Sequence, residues 1–277
     1  DSGTLRYTGG SATTTKTLWI DNAGITRAAI DVSQAGSTLT WNPGSGGVSQ
    51  NLTKVGAGTL SYGGPITGAA TVGVEGGTLL LTASNSYTGA TTVSAGRLQV
   101  NSSNAISSGT ITLGDASTGG NNASFFIDAT TANTTVSRPI VIANQGSGTA
   151  TLGSASTGGV NIAAFSGAVS LGRDVFLNGG TTGDRLGFTG GISGTGNVNV
   201  NGSNRVLFSG AANTYTGSTA ILAGATLQLG DGGATATSFI PDSSNVNVAG
   251  TLSLAKNGNS ETINALVGSG TVQAFFS

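Results

Sequence analysis

The carboxylates are the residues of this chain with the greatest potential for chemistry, because the sequence contains no histidine, cysteine or methionine. Eleven Asp and Glu residues are dispersed over 277 residues. Glycoside hydrolysis needs two carboxyl groups about 5 to 10 Å apart. Arg173, Asp174, Asp184 and Arg185 form a cluster with a suitable sequence spacing. They define a weak candidate site for binding or cleaving a sugar, beside the simpler interpretation of ion pairs on a turn or an exposed face.

Other function classes find little support in the composition. Without cysteine there is neither a disulfide framework nor a thiolate metal site, and the remaining aspartates stand alone, so we predict no metal and no cofactor. A formal net charge of -1, with ten dispersed basic residues, offers no surface for nucleic acid. No apolar run approaches the roughly 18 residues of a membrane helix, so membrane insertion by this segment is not expected. We predict that the chain is not an enzyme.

The elements that position these residues are predicted to be strands. Glycine accounts for 48 residues and charged residues for only 8%, yet 37% are apolar. The apolar residues recur in short alternating runs bounded by glycine, which is a strand-and-turn pattern. No segment sustains a 3.6-residue period. The sequence therefore predicts a folded, all-β protein.

A Gly-x-Leu element returns at a nearly constant interval. Gly58-Thr59-Leu60, Gly77-Thr78-Leu79 and Gly96-Arg97-Leu98 lie 19 residues apart. A unit of about 20 residues cannot bury its own apolar face and is stabilised by stacking on copies of itself. We predict a right-handed parallel β-helix, a β-solenoid of roughly 11 to 14 coils, formed by residues 1–277 as a single continuous domain.

Two longer segments, 85–100 and 213–230, repeat the pattern Asn-x-Tyr-Thr-Gly-x-Thr and mark two loosely similar cassettes near 51–117 and 180–254. We predict structural roles: each tyrosine ring covers the end of the core while its hydroxyl reaches a turn carbonyl, and each asparagine bonds to its own backbone. Sugar stacking by the tyrosines and ice binding by the threonine-rich strands are weaker alternatives. The matching residues are Asn85, Tyr87, Gly89, Thr91, Gly96 and Leu98, and Asn213, Tyr215, Gly217, Thr219, Gly224 and Leu227.

Two adjacent aromatic residues, Phe275 and Phe276, end the sequence without a polar capping helix. An uncovered coil edge invites pairing with another chain. The sequence therefore predicts either that the native polypeptide continues or that copies stack end to end into a filament that buries both phenylalanines.

The sequence resembles the passenger-associated β-strand repeats of autotransporter proteins from the outer membrane of Gram-negative bacteria. The resemblance rests on segments 3–9, 53–60, 85–99 and 266–272, and no barrel-like series of strands follows them. It implies a β-helical passenger exported across the outer membrane to the cell surface. We expect an extracellular structural or adhesive element, a stalk or a fibre building unit, whose partners are copies of itself or other cell-surface components. A carbohydrate-binding or carbohydrate-cleaving protein is the alternative.

Overall fold

The fold is a parallel β-solenoid of about 11 turns, so the predicted all-β solenoid is confirmed. The computed structural model describes residues 2–20, 24, 26–158, 161–181, 185–232, 239–255 and 260–274, and no helix occurs in these ranges. The chain falls into two compact units. Unit 1 comprises residues 1–126 and 145–148, and unit 2 comprises residues 127–144 and 149–277. The sequence-based expectation that residues 1–277 form a single continuous domain stays a prediction.

The strands are short and are separated by turns, as the glycine-bounded runs predict. In unit 1 they are β1 (Ser2–Tyr7), β2 (Ala12–Thr14), β3 (Leu18–Ile20), β4 (Arg27–Val32), β5 (Thr38–Trp41), β6 (Gly46–Val48), β7 (Leu52–Val55), β8 (Thr59–Tyr62), β9 (Val72–Leu81), β10 (Thr91–Val100), β11 (Ile111–Leu113) and β12 (Ala123–Ile127), whose last residue belongs to unit 2.

The strands of unit 1 form parallel ladders in which a strand pairs with its counterparts on neighbouring coils. One ladder runs β1, β4, β7, β9, β10 and β11, and a second runs β2, β5, β8, β9 and β10. Strand β3 pairs with β6. Residue partners in these pairings lie 19 to 28 positions apart, as in Val72 with Thr91 and Leu18 with Gly46. The predicted coil of about 20 residues is thus the structural repeat.

The Gly-x-Leu element gives unit 1 its core. Leu60, Leu79 and Leu98 are register partners on β8, β9 and β10, and all three are fully buried. Residues alternate between the two faces of a strand, so Thr59 and Thr78 point outward in the same register. Each buried leucine contributes roughly 1.5 to 3 kcal/mol of hydrophobic stabilisation, before the entropic cost of ordering it.

The glycine of the same element is required where the chain bends within β9 and β10. Gly77 and Gly96 have φ angles of 60° and 87°. A Cβ on Gly96 would lie 2.4 Å from the carbonyl oxygen of Gly77, on the preceding coil. A side chain here would therefore meet both backbone strain and a steric clash.

Unit 2 repeats the same architecture of short strands and turns. Its strands are β13 (Thr134–Val136), β14 (Ile140–Ile142), β15 (Ala150–Ser154), β16 (Ile162–Phe165), β17 (Val169–Leu171), β18 (Val175–Asn178), β19 (Arg185–Phe188), β20 (Ile192–Gly194), β21 (Val198–Asn201), β22 (Arg205–Phe208), β23 (Thr219–Ile221), β24 (Thr226–Leu229), β25 (Asn245–Val248), β26 (Thr251–Leu254), β27 (Ala265–Val267) and β28 (Thr271–Ala274).

One seven-stranded sheet of unit 2, called sheet S here, pairs β13, β16, β19, β22, β24, β26 and β28 in that order. Its inward side carries a stack of aromatic rings. Phe165, Phe188 and Phe208 occupy one register on successive coils, with ring centroids 5.3 and 5.9 Å apart. All three are buried, so this stack is part of the core.

Candidate functional site

The repeated Asn-x-Tyr-Thr-Gly-x-Thr segments, 85–91 and 213–219, form the same contacts in both units. We call each of these segments a coil clamp. In unit 1 the Oδ1 of Asn85 accepts a hydrogen bond of 2.8 Å from the backbone N–H of Ile66, on the preceding coil. Its Nδ2 donates a hydrogen bond of 2.7 Å to the carbonyl oxygen of Ala105, on the following coil. The side chain thus joins three coils.

The second copy of the coil clamp reproduces this geometry. The Oδ1 of Asn213 accepts from the N–H of Ile192 at 2.8 Å, and its Nδ2 donates to the carbonyl oxygen of Phe239. The predicted bond to nearby backbone is present in Asn85, whose Nδ2 also donates to the carbonyl oxygen of Ala83. The other contacts of both asparagines reach partners about one coil away.

The two tyrosines of the coil clamp are fully buried. The hydroxyls of Tyr87 and Thr91 share a hydrogen bond of 2.7 Å, and those of Tyr215 and Thr219 share one of 2.6 Å. Both threonines point into the core, where an unpaired hydroxyl would be costly. Each tyrosine hydroxyl therefore satisfies a buried threonine, and neither ring is exposed for sugar stacking.

Glycine in the coil clamp allows the backbones of adjacent coils to approach. A Cβ on Gly89 would lie 2.4 Å from the oxygen of Ala70, and one on Gly217 would lie 2.3 Å from the oxygen of Gly196. Later in the two segments, Leu98 and Leu227 are buried and Gly224 has a φ of 81°. These matched positions support the interpretation of the repeat as structural.

We expect Tyr87→Phe to lower the free energy of unfolding by about 1 kcal/mol, because Thr91 then loses its partner in the core. Tyr62 provides a matched control. It is also fully buried, but its hydroxyl contacts no hydrogen-bond partner in the described part of the chain. Burial raises the pKa of Tyr62 to about 12. Tyr62→Phe should leave stability unchanged or increase it. Urea unfolding of the two variants measures the difference, and equal effects would contradict the assigned role of Tyr87.

Lys54 is a residue whose role the sequence did not reveal. It shares a register with Ile30 and Val74 and is fully buried. Its Nζ donates to the carbonyl oxygens of Val55, Gly56 and Gly76, at 2.5, 2.9 and 3.3 Å. Burial lowers the pKa of Lys54 to about 8, and the nearby carboxylate of Asp31 opposes that shift. The amine thus ties one coil to the next at the corner that follows β7.

The structure describes one of the two carboxylates of the weak sugar-site prediction. Asp174 lies at the corner before β18, where its oxygens accept three hydrogen bonds of 2.9 to 3.0 Å from the backbone and side chain of Asn197. Arg185 opens β19, after β18 and its following turn. Burial lowers the pKa of Arg173, with Asp174 opposing. Asp184 lies outside the described residues.

The other aromatic predictions have different outcomes. Phe125 is fully buried in the core, whereas Phe126 lies on the outer face with the guanidinium carbon of Arg97 3.9 Å above its ring. Phe275 and Phe276 lie outside the described residues, so burial at an end-to-end joint stays a prediction. Within the ranges that the structure describes, no group of three or more acidic, histidine or cysteine side chains could hold a metal ion. No described helix could span a membrane.

Stacked parallel coils and a clamp that recurs at matched positions define a repeat-built β-solenoid. The model of the passenger-associated-transport-repeat family matches residues 75–100 and 198–229, which include both clamps. The adhesin BmaC autotransporter of Brucella suis biovar 1 is 32% identical over 230 residues, or 81% of this chain. The chain spans only 5% of that relative. No solved structure matches.

These matches confirm the resemblance: the chain is an autotransporter passenger protein of the passenger-associated-transport-repeat type. The family match includes the clamp residues Tyr87, Thr91, Tyr215 and Thr219, whose hydroxyl groups pair within each segment.

Proposed function

We propose that this chain is an adhesive, non-catalytic segment of a surface-exposed protein exported across the outer membrane of a Gram-negative bacterium. The similarity to an autotransporter adhesin carries the proposal, together with the transport repeats. In this role the solenoid acts as a stalk, or as a fibre building unit, and presents its outer faces to other surfaces.

The composition of the outer faces supports this role. Columns of small polar residues run along the solenoid at one residue per coil, for example Thr38, Thr59 and Thr78 in unit 1. Hydroxyl columns without strong charge suit weak contacts that become effective when many copies act together. The partners that we propose are other cell-surface components and further copies of this chain.

Bead adhesion tests the proposal. Beads that carry the chain at high density should attach to cultured epithelial cells, or to one another, and an excess of soluble chain should reduce the attachment. Beads with one tenth of that density should attach far less than proportionally, since multivalent binding depends on simultaneous contacts. Beads that attach to neither surface at any density would overturn the adhesive role.

The stalk and fibre alternatives make different predictions for the purified chain. A fibre building unit should form filaments visible by negative-stain electron microscopy and a mass that rises with concentration in light scattering. A chain that remains monomeric at high concentration would exclude the fibre and leave the stalk.

A further inference from the structure

Two arginines on the outward side of sheet S are stacked on successive coils. The registers of β19 with β22 and of β22 with β24 place Arg185 beside Arg205 and Arg205 beside Thr226. Adjacent strands are about 4.8 Å apart. Two cations therefore lie side by side in a chain of which only 8% is charged.

Among the described residues, no carboxylate forms an ion pair with the guanidinium group of Arg185 or of Arg205. The pKa of Arg205 is lowered first by burial and then by the charge of Arg185, so its charged neighbour repels it. Stacked like charges are unfavourable unless an anion binds between them.

One arginine of the pair is oriented by a neighbouring side chain. The Nη1 of Arg205 donates to the Oε1 of Gln228, whose Nε2 donates to the carbonyl oxygen of Gly230 at 2.7 Å. A guanidinium has five N–H donors in a fixed plane, so others remain for a ligand. A guanidinium held in this way binds a carboxylate or sulfate with less loss of side-chain entropy.

The same outward column continues with hydroxyl groups. Thr226, Thr251 and Thr271 follow Arg205 in register, one on each coil. Hydroxyls at this spacing can bond to the hydroxyl groups of sugar units beyond the anionic group. The column thus combines an oxyanion site with neutral polar positions along one line of unit 2.

We propose that Arg185 and Arg205 form a binding site for the oxyanion groups of an acidic polysaccharide, which lies along the column toward Thr226. The shared chemistry is a sulfate or carboxylate group held by two guanidinium groups. The site differs from the sequence-predicted sugar site, since it uses Arg205 and does not require Asp174. The chemistry of this site is independent of the proposed adhesive function, and only its biological role rests on that function.

Binding to defined polymers tests the site on the full chain. We expect the chain to bind heparin, polygalacturonate or both at low salt, with no binding to neutral dextran, and the affinity should fall as salt is raised. Heparin represents the sulfate source and polygalacturonate the carboxylate source. Arg185→Gln and Arg205→Gln should each weaken binding at least tenfold.

Arg138→Gln is the matched control, because it removes the same charge from unit 2 outside sheet S. The Arg138→Gln variant should bind the polymers within twofold of the natural chain.

Circular dichroism and the urea midpoint verify that each variant is folded. Arg205→Lys keeps the charge without the planar guanidinium group, so it should recover only part of the affinity. Failure of both polymers to bind, or an equal loss in Arg138→Gln, would overturn the site. The bead assay, which needs neither polymer, reports separately on the adhesive role.

Discussion

Replacing Asn213 by alanine is expected to lower the free energy of unfolding by about 2 to 4 kcal/mol, more than Tyr87→Phe. Asn213 is buried and bonds to the backbone of Ile192 on one side and of Phe239 on the other. Alanine leaves the N–H of Ile192 unpaired, which costs about 1 to 3 kcal/mol, and removes the hydrogen bond to Phe239, which contributes about 1 kcal/mol.

Urea unfolding followed by circular dichroism measures this change. Asn247 is the matched control, because it is an exposed asparagine on β25 of the same unit, and Asn247→Ala should change stability by no more than about 0.5 kcal/mol. Asn85→Ala tests the other clamp and should act in the same direction. If Asn213→Ala and Asn247→Ala had equal effects, the bridging role of the clamp would be wrong.

The sequence predicted the fold well because the strongest signal is local. The 19-residue spacing of Leu60, Leu79 and Leu98 reflects one inward position per coil, and glycine at 77 and 96 marks the bend between strands. Both features depend on alternation and backbone conformation, which are properties of a few consecutive residues.

The contacts of the site could not be predicted in the same way, because their partners lie on other coils. Nothing near Asn85 in the sequence shows that it reaches Ile66 and Ala105. Arg173 and Arg185 look clustered along the chain, yet β18 separates them, while Arg205 is the register neighbour of Arg185. The turn lengths, which vary from coil to coil, decide these neighbours.

Lys54 shows a related limit of pattern reasoning. A lysine in a strand usually indicates an outward position. The side chain of Lys54 is instead buried, and its amine reaches the carbonyl oxygens of the corner that follows its strand. Three hydrogen bonds to backbone carbonyls explain why a charged group is tolerated there. The clamp asparagines and this lysine therefore have one principle in common: a side chain satisfies backbone groups that the turns leave unpaired.

The buried Lys54 should make the protein more stable as pH rises from about 8 toward 10. The folded pKa is near 8, below the value of 10.5 for a free lysine, so the unfolded chain holds more protons in this interval. Unfolding free energy increases with pH wherever the unfolded state binds more protons. The gain is at most about 3 kcal/mol and is lost again as pH falls through 8.

Comparison with Lys54→Met isolates this contribution, because the variant keeps a long apolar stem and cannot titrate. Urea midpoints measured between pH 7 and 9.5 should rise for the natural chain relative to the variant. Higher pH is avoided, since burial raises the pKa of Tyr62 and Tyr215 above the free value of 10 and reverses the trend there. Parallel curves for the two proteins would mean that Lys54 keeps an ordinary pKa, with its three carbonyl partners compensating the cost of burial.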